Sequence, residues 1–258
     1  MNTVKPKKFL GQHFLKDLDI AARIADTIDD THRVSVLEVG SGMGVLTQFL
    51  LKKNIDLKVV ELDRESVAYL QENFPDLEGR ILGEDFLKMD FKALFPREFM
   101  VIGNYPYNIS SQIFFKVLEN KDQVPFCSGM IQKEVAERIA SRPGKKAYGI
   151  ISVLLQAWYD IEYLFTVGAH VFDPPPKVQS AVVSLTRNSR TTLPCNERLF
   201  KTVVKTAFNQ RRKTMRNSLK PLLGKECEIF SDEIFNKRPE QLSVEEFIEL
   251  TKLVAPYV

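Results

Sequence analysis

Asn104, Tyr105, Pro106 and Tyr107 close an apolar run that begins at Phe99. Their types suit a flat aromatic amine. The Asn104 side chain and the backbone carbonyl around Pro106 can together accept both hydrogens of such an amine. Tyr107 can stack on the ring that bears it, an interaction worth about 1–3 kcal/mol per base. A plain turn would use the same residues, because Asn and Pro are common turn formers and Tyr often caps a core. The tetrapeptide alone leaves both readings open.

A second group lies upstream. Val34 to Val39 reads as a strand running into Gly40-Ser41-Gly42-Met43-Gly44, and Val45, Leu46, Phe49 and Leu50 follow at helical spacing. Strand, glycine turn and helix make the nucleotide-binding corner of a doubly wound sheet, where missing side chains let the backbone approach a ligand. The next strand, Leu57 to Val60, ends in Glu61, placed to accept ribose hydroxyls. The glycine spacing lacks the third glycine of a pyrophosphate site, and Glu38 precedes the turn. Both features disfavour a diphosphate and a nicotinamide cofactor. They favour a cationic nucleoside such as S-adenosylmethionine. Asp85 and Phe86, after a short strand Arg80 to Gly83, suit an adenine amino group and its ring. By spacing alone, Asp85 reads more readily as a helix N-cap or Asx-turn.

The elements that position these groups follow the chain. The segment Lys5 to Leu15 opens with a lysine cluster of the kind that is usually solvated, and its Gly11-Gln12-His13-Phe14-Leu15 part reads as an ordered strap over a site. His13 within it suits local packing or hydrogen bonding better than metal binding. Ile20, Ile24 and Ile28 mark a helix that starts near Asp17 or Asp19. Beyond the Asn104 loop come a helix from Ile109 to Leu118, a strand from Val124 to Ile131, and a helix from Lys133 to Ala140. A basic loop, Arg142 to Lys146, reads as solvated more readily than as an RNA contact. An apolar helix spans Ile150 to Trp158. Two last strands, Ile161 to Val167 and Val178 to Thr186, are joined by a link too short for a crossover helix, so they are expected to be antiparallel neighbours. Phe172 in that link precedes three prolines. It suits either the second face of an aromatic clamp with Tyr107 or a core anchor.

After a polar linker, Phe200, Val203, Val204, Ala207 and Phe208 repeat at helical spacing. Between Arg187 and Lys220 the sole acid is Glu197, so the formal charge of +3 is concentrated there. Arg211, Arg212, Lys213 and Arg216, interleaved with Asn, Gln and Ser, suit a phosphate backbone. Ser243 to Glu246 reads as a capping box for a final helix. The three cysteines, Cys127, Cys195 and Cys227, lack metal-ligand spacing and read as reduced thiols. No metal is expected. No apolar run approaches the roughly 20 residues of a membrane span, and no signal peptide is read at the N-terminus.

Taken together, these motifs resemble the ribosomal RNA adenine dimethyltransferases of the small-subunit type. The resemblance rests on Gly11-Gln12-His13-Phe14-Leu15, the Glu38 to Gly44 turn, Glu61-Leu62-Asp63, Asn104 to Asn108, Phe172 to Val182 and Asn209 to Lys213. It implies an α/β fold. A Rossmann-like class I methyltransferase domain over residues 1–187, with a mostly parallel sheet and one terminal antiparallel strand, would be followed by a small C-terminal helical RNA-binding domain over 188–258. It implies dimethylation of the exocyclic amines of two adjacent adenosines near the 3′ end of 16S rRNA, using S-adenosylmethionine. Carried over by position, His13, Leu15, Gly40, Gly42, Glu61, Leu62, Asp85, Phe86 and Asn104 would hold the cofactor. Asn104, Pro106, Tyr107 and Phe172 would serve the target base. The partner would be rRNA of an immature small subunit, met by a cytoplasmic monomer. Three departures are visible: Tyr105 stands where Leu is frequent, Ser41 where Pro is frequent, and His13 where Asn is frequent. A 23S-type methyltransferase, a non-catalytic assembly factor and a nicotinamide oxidoreductase are the rival readings. The basic tail, the intact Asn104 motif with Glu61, and the glycine spacing disfavour them in that order.

Overall fold

The computed structural model describes residues 4–7 and 10–258. Lys8 and Phe9 of the basic opening segment lie outside the described residues. The described residues form nine strands: β1 (Phe14–Leu15), β2 (Val34–Val39), β3 (Ile55–Val60), β4 (Ile81–Leu82), β5 (Phe99–Asn104), β6 (Phe126–Gln132), β7 (Tyr159–Val167), β8 (Phe172–Asp173) and β9 (Ser180–Arg187). Seven form one sheet in the order β4-β3-β2-β5-β6-β9-β7. Pairings from β4 through β6 are parallel, and β9 runs antiparallel to β6. The terminal reversed strand expected from the sequence is therefore last among the strands in the chain but second from the edge in space. β9 inserts between β6 and β7, because the 168–179 link returns the chain beside β7 without a crossover.

β2 and β5 are the centre of the sheet, and their apolar residues Val36, Leu37, Val101 and Ile102 are fully buried. Strands covered on both faces read as continuous apolar runs, which is why the sequence signals them well. The helix Leu18–Ala25 is capped by Asp17, whose carboxylate accepts from the Asp19 and Ile20 amides at 3.0 and 3.1 Å. It buries Ala21, Ile24 and Ala25; of the three spaced isoleucines, Ile20 is half-buried and Ile28 is buried just beyond the helix.

Near the end of β5 and at the middle of β6, Gly103 and Gly129 sit opposite each other. A Cβ on Gly129 would lie 2.3 Å from the Gly103 carbonyl and 2.5 Å from the Tyr105 ring. Only a bare backbone leaves room for that ring. Tyr105 is 1% exposed, and its hydroxyl donates to the Ser128 carbonyl at 2.7 Å. A tyrosine where leucine is frequent thus finds a polar partner inside the sheet, as a buried phenol requires.

The chain divides into two compact units, residues 1–136 with 161–187, and residues 137–160 with 188–258. This corrects the expected division after residue 187, because 137–160 belongs with the C-terminal helices. Its helix, Ile150–Gln156, buries five consecutive residues, Ile151 to Leu155, so it needs cover all round. Backbone hydrogen bonds tie the segment to the later chain: Asn188 N–H to Trp158 O at 3.0 Å, and Gly144 N–H to Glu240 O at 2.6 Å. Tyr148 and Phe208 meet edge to face at 6.3 Å between ring centroids. In the same unit the helix Glu197–Asn209 buries Phe200, Val203, Val204, Ala207 and Phe208. Ser243 and Glu246 form the expected capping box. Among the described residues, no helix is long and apolar enough to cross a membrane.

Candidate active site

A single cavity in the first unit is lined by the 10–15 strap, the 38–46 turn, Glu61 and Leu62, Glu84 to Leu87, and the 104–109 loop. Parallel strands bring these segments together, since β2, β3 and β5 all deliver their C-terminal ends to one rim.

Gly40 and Gly42 adopt positive φ of 73° and 54°. A Cβ on Gly42 would stand 3.1 Å from the Phe14 ring, so the turn is shaped for close approach. Glu61 is 7% exposed, and two backbone donors hold its carboxylate: Gly42 N–H at 2.8 Å and Asp63 N–H at 2.9 Å. Burial nevertheless raises its pKa, with the neighbouring Asp63 charge adding to the rise and the backbone donors opposing it. Each oxygen retains a lone pair for a hydroxyl. Glu38 is 1% exposed and accepts from the Thr47 hydroxyl at 2.7 Å. Burial pushes its pKa up to about 8, with a smaller push from Glu61. Among the described residues no cation pairs with either acid, so this wall is short of positive charge. Leu62, 54% exposed, offers an apolar surface to the same cavity. Asp85 caps a short helical turn by accepting from Leu87 N–H at 3.0 Å, as its spacing suggested, and also lines the cavity beside Phe86.

The strap is pinned at several points. β1 pairs antiparallel with β8, setting Leu15 opposite Phe172. His13 Nδ1–H donates to the Pro174 carbonyl at 2.7 Å, and its ring stacks on Tyr107 at 5.3 Å and 29°. Asn104 Nδ2 donates to the His13 carbonyl at 3.4 Å, leaving Oδ1 as the acceptor of that amide. Lys7 forms an ion pair with Asp63, and Gln12 reaches the same carboxylate at 3.3 Å. Tyr107 donates or accepts a hydrogen bond with Ser180 through its hydroxyl.

Three expectations change. Phe172 is 1% exposed, packed in the core with Leu15, Val167 and Val171, and does not line the cavity. It anchors the loop, because strand pairing with β1 turns its ring inward. The ring set against Tyr107 is His13. The Pro106 carbonyl already accepts from Ile109 N–H at 3.2 Å, which leaves it one lone pair. In the second unit, Arg211 donates to the carbonyls of Lys145 and Lys146, and Arg216 donates to that of Phe230 at 2.7 Å. Both guanidinium groups bond to carbonyls of the fold, Arg211 from a half-buried position and Arg216 from an exposed one, and Arg212 and Lys213 are exposed.

The residues present fit S-adenosylmethionine. Bare glycines admit its backbone-hugging end, Glu61 suits its ribose, and unpaired buried acids suit its cationic groups. Among the described residues, no group of three or more His, Cys, Asp or Glu could hold a metal ion.

A family model described as Ribosomal RNA adenine dimethylase matches residues 3–255. The chain is 71% identical over 251 residues to the Ribosomal RNA small subunit methyltransferase A of Parabacteroides distasonis, covering 97% of this chain and 94% of that protein. It is 58% identical to the protein of that name from Flavobacterium johnsoniae, covering 98% and 97%. Among solved structures, a dimethyladenosine transferase from Plasmodium falciparum superposes with a TM-score of 0.78 at 23% identity, covering 95% of this chain and 98% of that one. The 23S rRNA methyltransferase ErmE gives 0.69 at 24%, covering 93% and 99%. At these identities the two structures speak for the fold alone.

Proposed function

The chain belongs to the ribosomal RNA adenine dimethylase family, and we propose that it dimethylates the exocyclic amines of two adjacent adenosines near the 3′ end of 16S rRNA. The observation that carries this reading is the meeting of two groups in one cavity: the glycine turn with Glu38 and Glu61, and the Asn104–Tyr107 loop. S-adenosylmethionine, when bound, supplies an electrophilic methyl carbon there.

An aromatic amine is a weak nucleophile because its lone pair delocalises into the ring. Asn104 Oδ1, aimed by the bond from Nδ2 to His13, accepts one amine hydrogen. A backbone carbonyl of the same turn accepts the other. Pro106 O has one lone pair left for it, and Tyr105 O has no donor among the described residues. Accepting both hydrogens favours a more pyramidal nitrogen with an available lone pair. Tyr107, backed by His13, packs against the extruded base. No strong base is required, since the proton leaves to solvent after transfer, and positioning supplies most of the acceleration. The enzyme works as a monomer in the cytoplasm, on rRNA of an immature small subunit.

The test is methyl transfer to small subunits that lack the modification, followed by mass spectrometry of the 16S 3′ fragment. Two dimethyladenosines are expected. Label in 23S rRNA instead, or no transfer, would overturn the reading.

A further inference from the structure

The basic loop Arg142–Lys146 is distant in sequence from the Arg211–Lys213 turn, yet the fold joins them inside the second unit. Arg211 Nη2 donates to the Lys146 carbonyl at 2.6 Å and to that of Lys145 at 3.3 Å. Its Nε faces the Glu240 carboxylate at 3.9 Å, and Glu240 O accepts the Gly144 amide at 2.6 Å. Arg211 is thus the splint, with Glu240 beneath it as the nearby acid.

The splint brings together cations that repel one another. Lys145, Lys146, Arg212 and Lys213 are all exposed. Among the described residues none of the four side chains has an ion pair or hydrogen bond. Arg142, also exposed, flanks the same loop. A solvated loop would relieve the repulsion by moving apart. Here backbone-directed bonds hold it in place, so the ordering cost is met before any polyanion arrives.

We propose that Lys145, Lys146, Arg212 and Lys213 form one preorganised surface for an RNA phosphate backbone, with Arg211 as its positioning residue instead of a phosphate contact. This rests on the reading that the substrate is rRNA, and extends it to a loop whose sequence alone suggested plain solvation.

The test measures binding of the full chain to purified small subunits lacking the dimethyladenosines, between about 50 and 200 mM salt. Each phosphate contact contributes about 0.7–0.9 to the slope of log affinity against log salt. The Lys145→Gln/Lys146→Gln double variant should flatten that slope by about 1.4–1.8, with S-adenosylmethionine affinity unchanged. Arg211→Gln should flatten it by more than one contact, because it frees the whole loop. A control pair in the first unit, Lys92→Gln/Arg97→Gln, makes the same change in net charge and should leave the slope intact. Parental slope in the Lys145/Lys146 variant, or an equal loss in the control pair, would overturn the surface. A parent protein that neither binds nor methylates the subunits would overturn the rRNA reading itself.

Discussion

Asn104 donates through Nδ2 to the backbone carbonyl of His13, 91 residues earlier in the chain, at 3.4 Å. One strap carbonyl thereby decides which end of the amide faces the cavity. Because a carbonyl can only accept, the amide must turn its nitrogen to the strap and its oxygen elsewhere. The 10–15 strap and the loop after β5 are therefore one device.

Asn104→Ala removes that acceptor while leaving the glycine turn and Glu61 in place. Methyl transfer should fall by about 100-fold or more, the scale seen when one preorganised polar group is lost from a reacting centre. S-adenosylmethionine binding, followed by titration calorimetry, should persist. Near-normal turnover would refute the role given to Oδ1.

The buried acids give a pH dependence with a defined sign. Glu38 titrates at about 8 in the folded chain, against an ordinary 4.5. Between those values the folded state holds a proton that the unfolded state has released. Stability of the ligand-free protein should therefore fall as pH rises from about 5 to 8. Thermal melts of Glu38→Gln, which keeps an acceptor for Thr47, should show a shallower decline. The same proton must leave when a cation settles beside Glu38, so cofactor affinity should rise with pH over that interval. A flat parental profile would contradict this.

The ion pair of Lys7 with Asp63 latches the strap beside Glu61, and Gln12 reinforces it on the second carboxylate oxygen. Asp63 is 3% exposed, and its carboxyl is held below the ordinary range by bonds from Lys7, Gln12 and Ser66 that outweigh the cost of burial. Lys7→Met should release S-adenosylmethionine several-fold faster in stopped-flow measurements, more at low salt than at high. An unchanged dissociation rate would mean that β1–β8 pairing alone closes the strap.

Tyr105→Phe deletes the hydroxyl that donates to Ser128 O in a buried setting. Loss of one such bond costs about 1–2 kcal/mol, and a melting shift of about 2–4 °C per kcal/mol follows for a chain of this size. Gly129→Ala should do far more damage, since its Cβ would meet both the Gly103 carbonyl and the Tyr105 ring. Equal melting temperatures for the two variants would show that the slot relaxes.

What the sequence determined by itself was local or periodic. Buried strands such as β2 and β5 are continuous apolar runs, and helices such as Leu18–Ala25 and Val244–Val254 carry their own caps and stripes. The glycine turn and Glu61 lie within one strand–turn–helix–strand unit, so a single spacing fixes their meeting. Tertiary structure decided everything that required knowing which distant group is adjacent. Phe172 preceding three prolines reads the same as clamp or anchor, and pairing with Leu15 turned it into the core. Arg211 has the composition of a phosphate contact, and the Lys145 and Lys146 carbonyls claimed it. Residues 137–160 carry no mark of their unit until Tyr148 meets Phe208. A side chain's chemistry is written in its type, but whether that chemistry faces a ligand or another part of the chain depends on long-range packing, which no local pattern encodes.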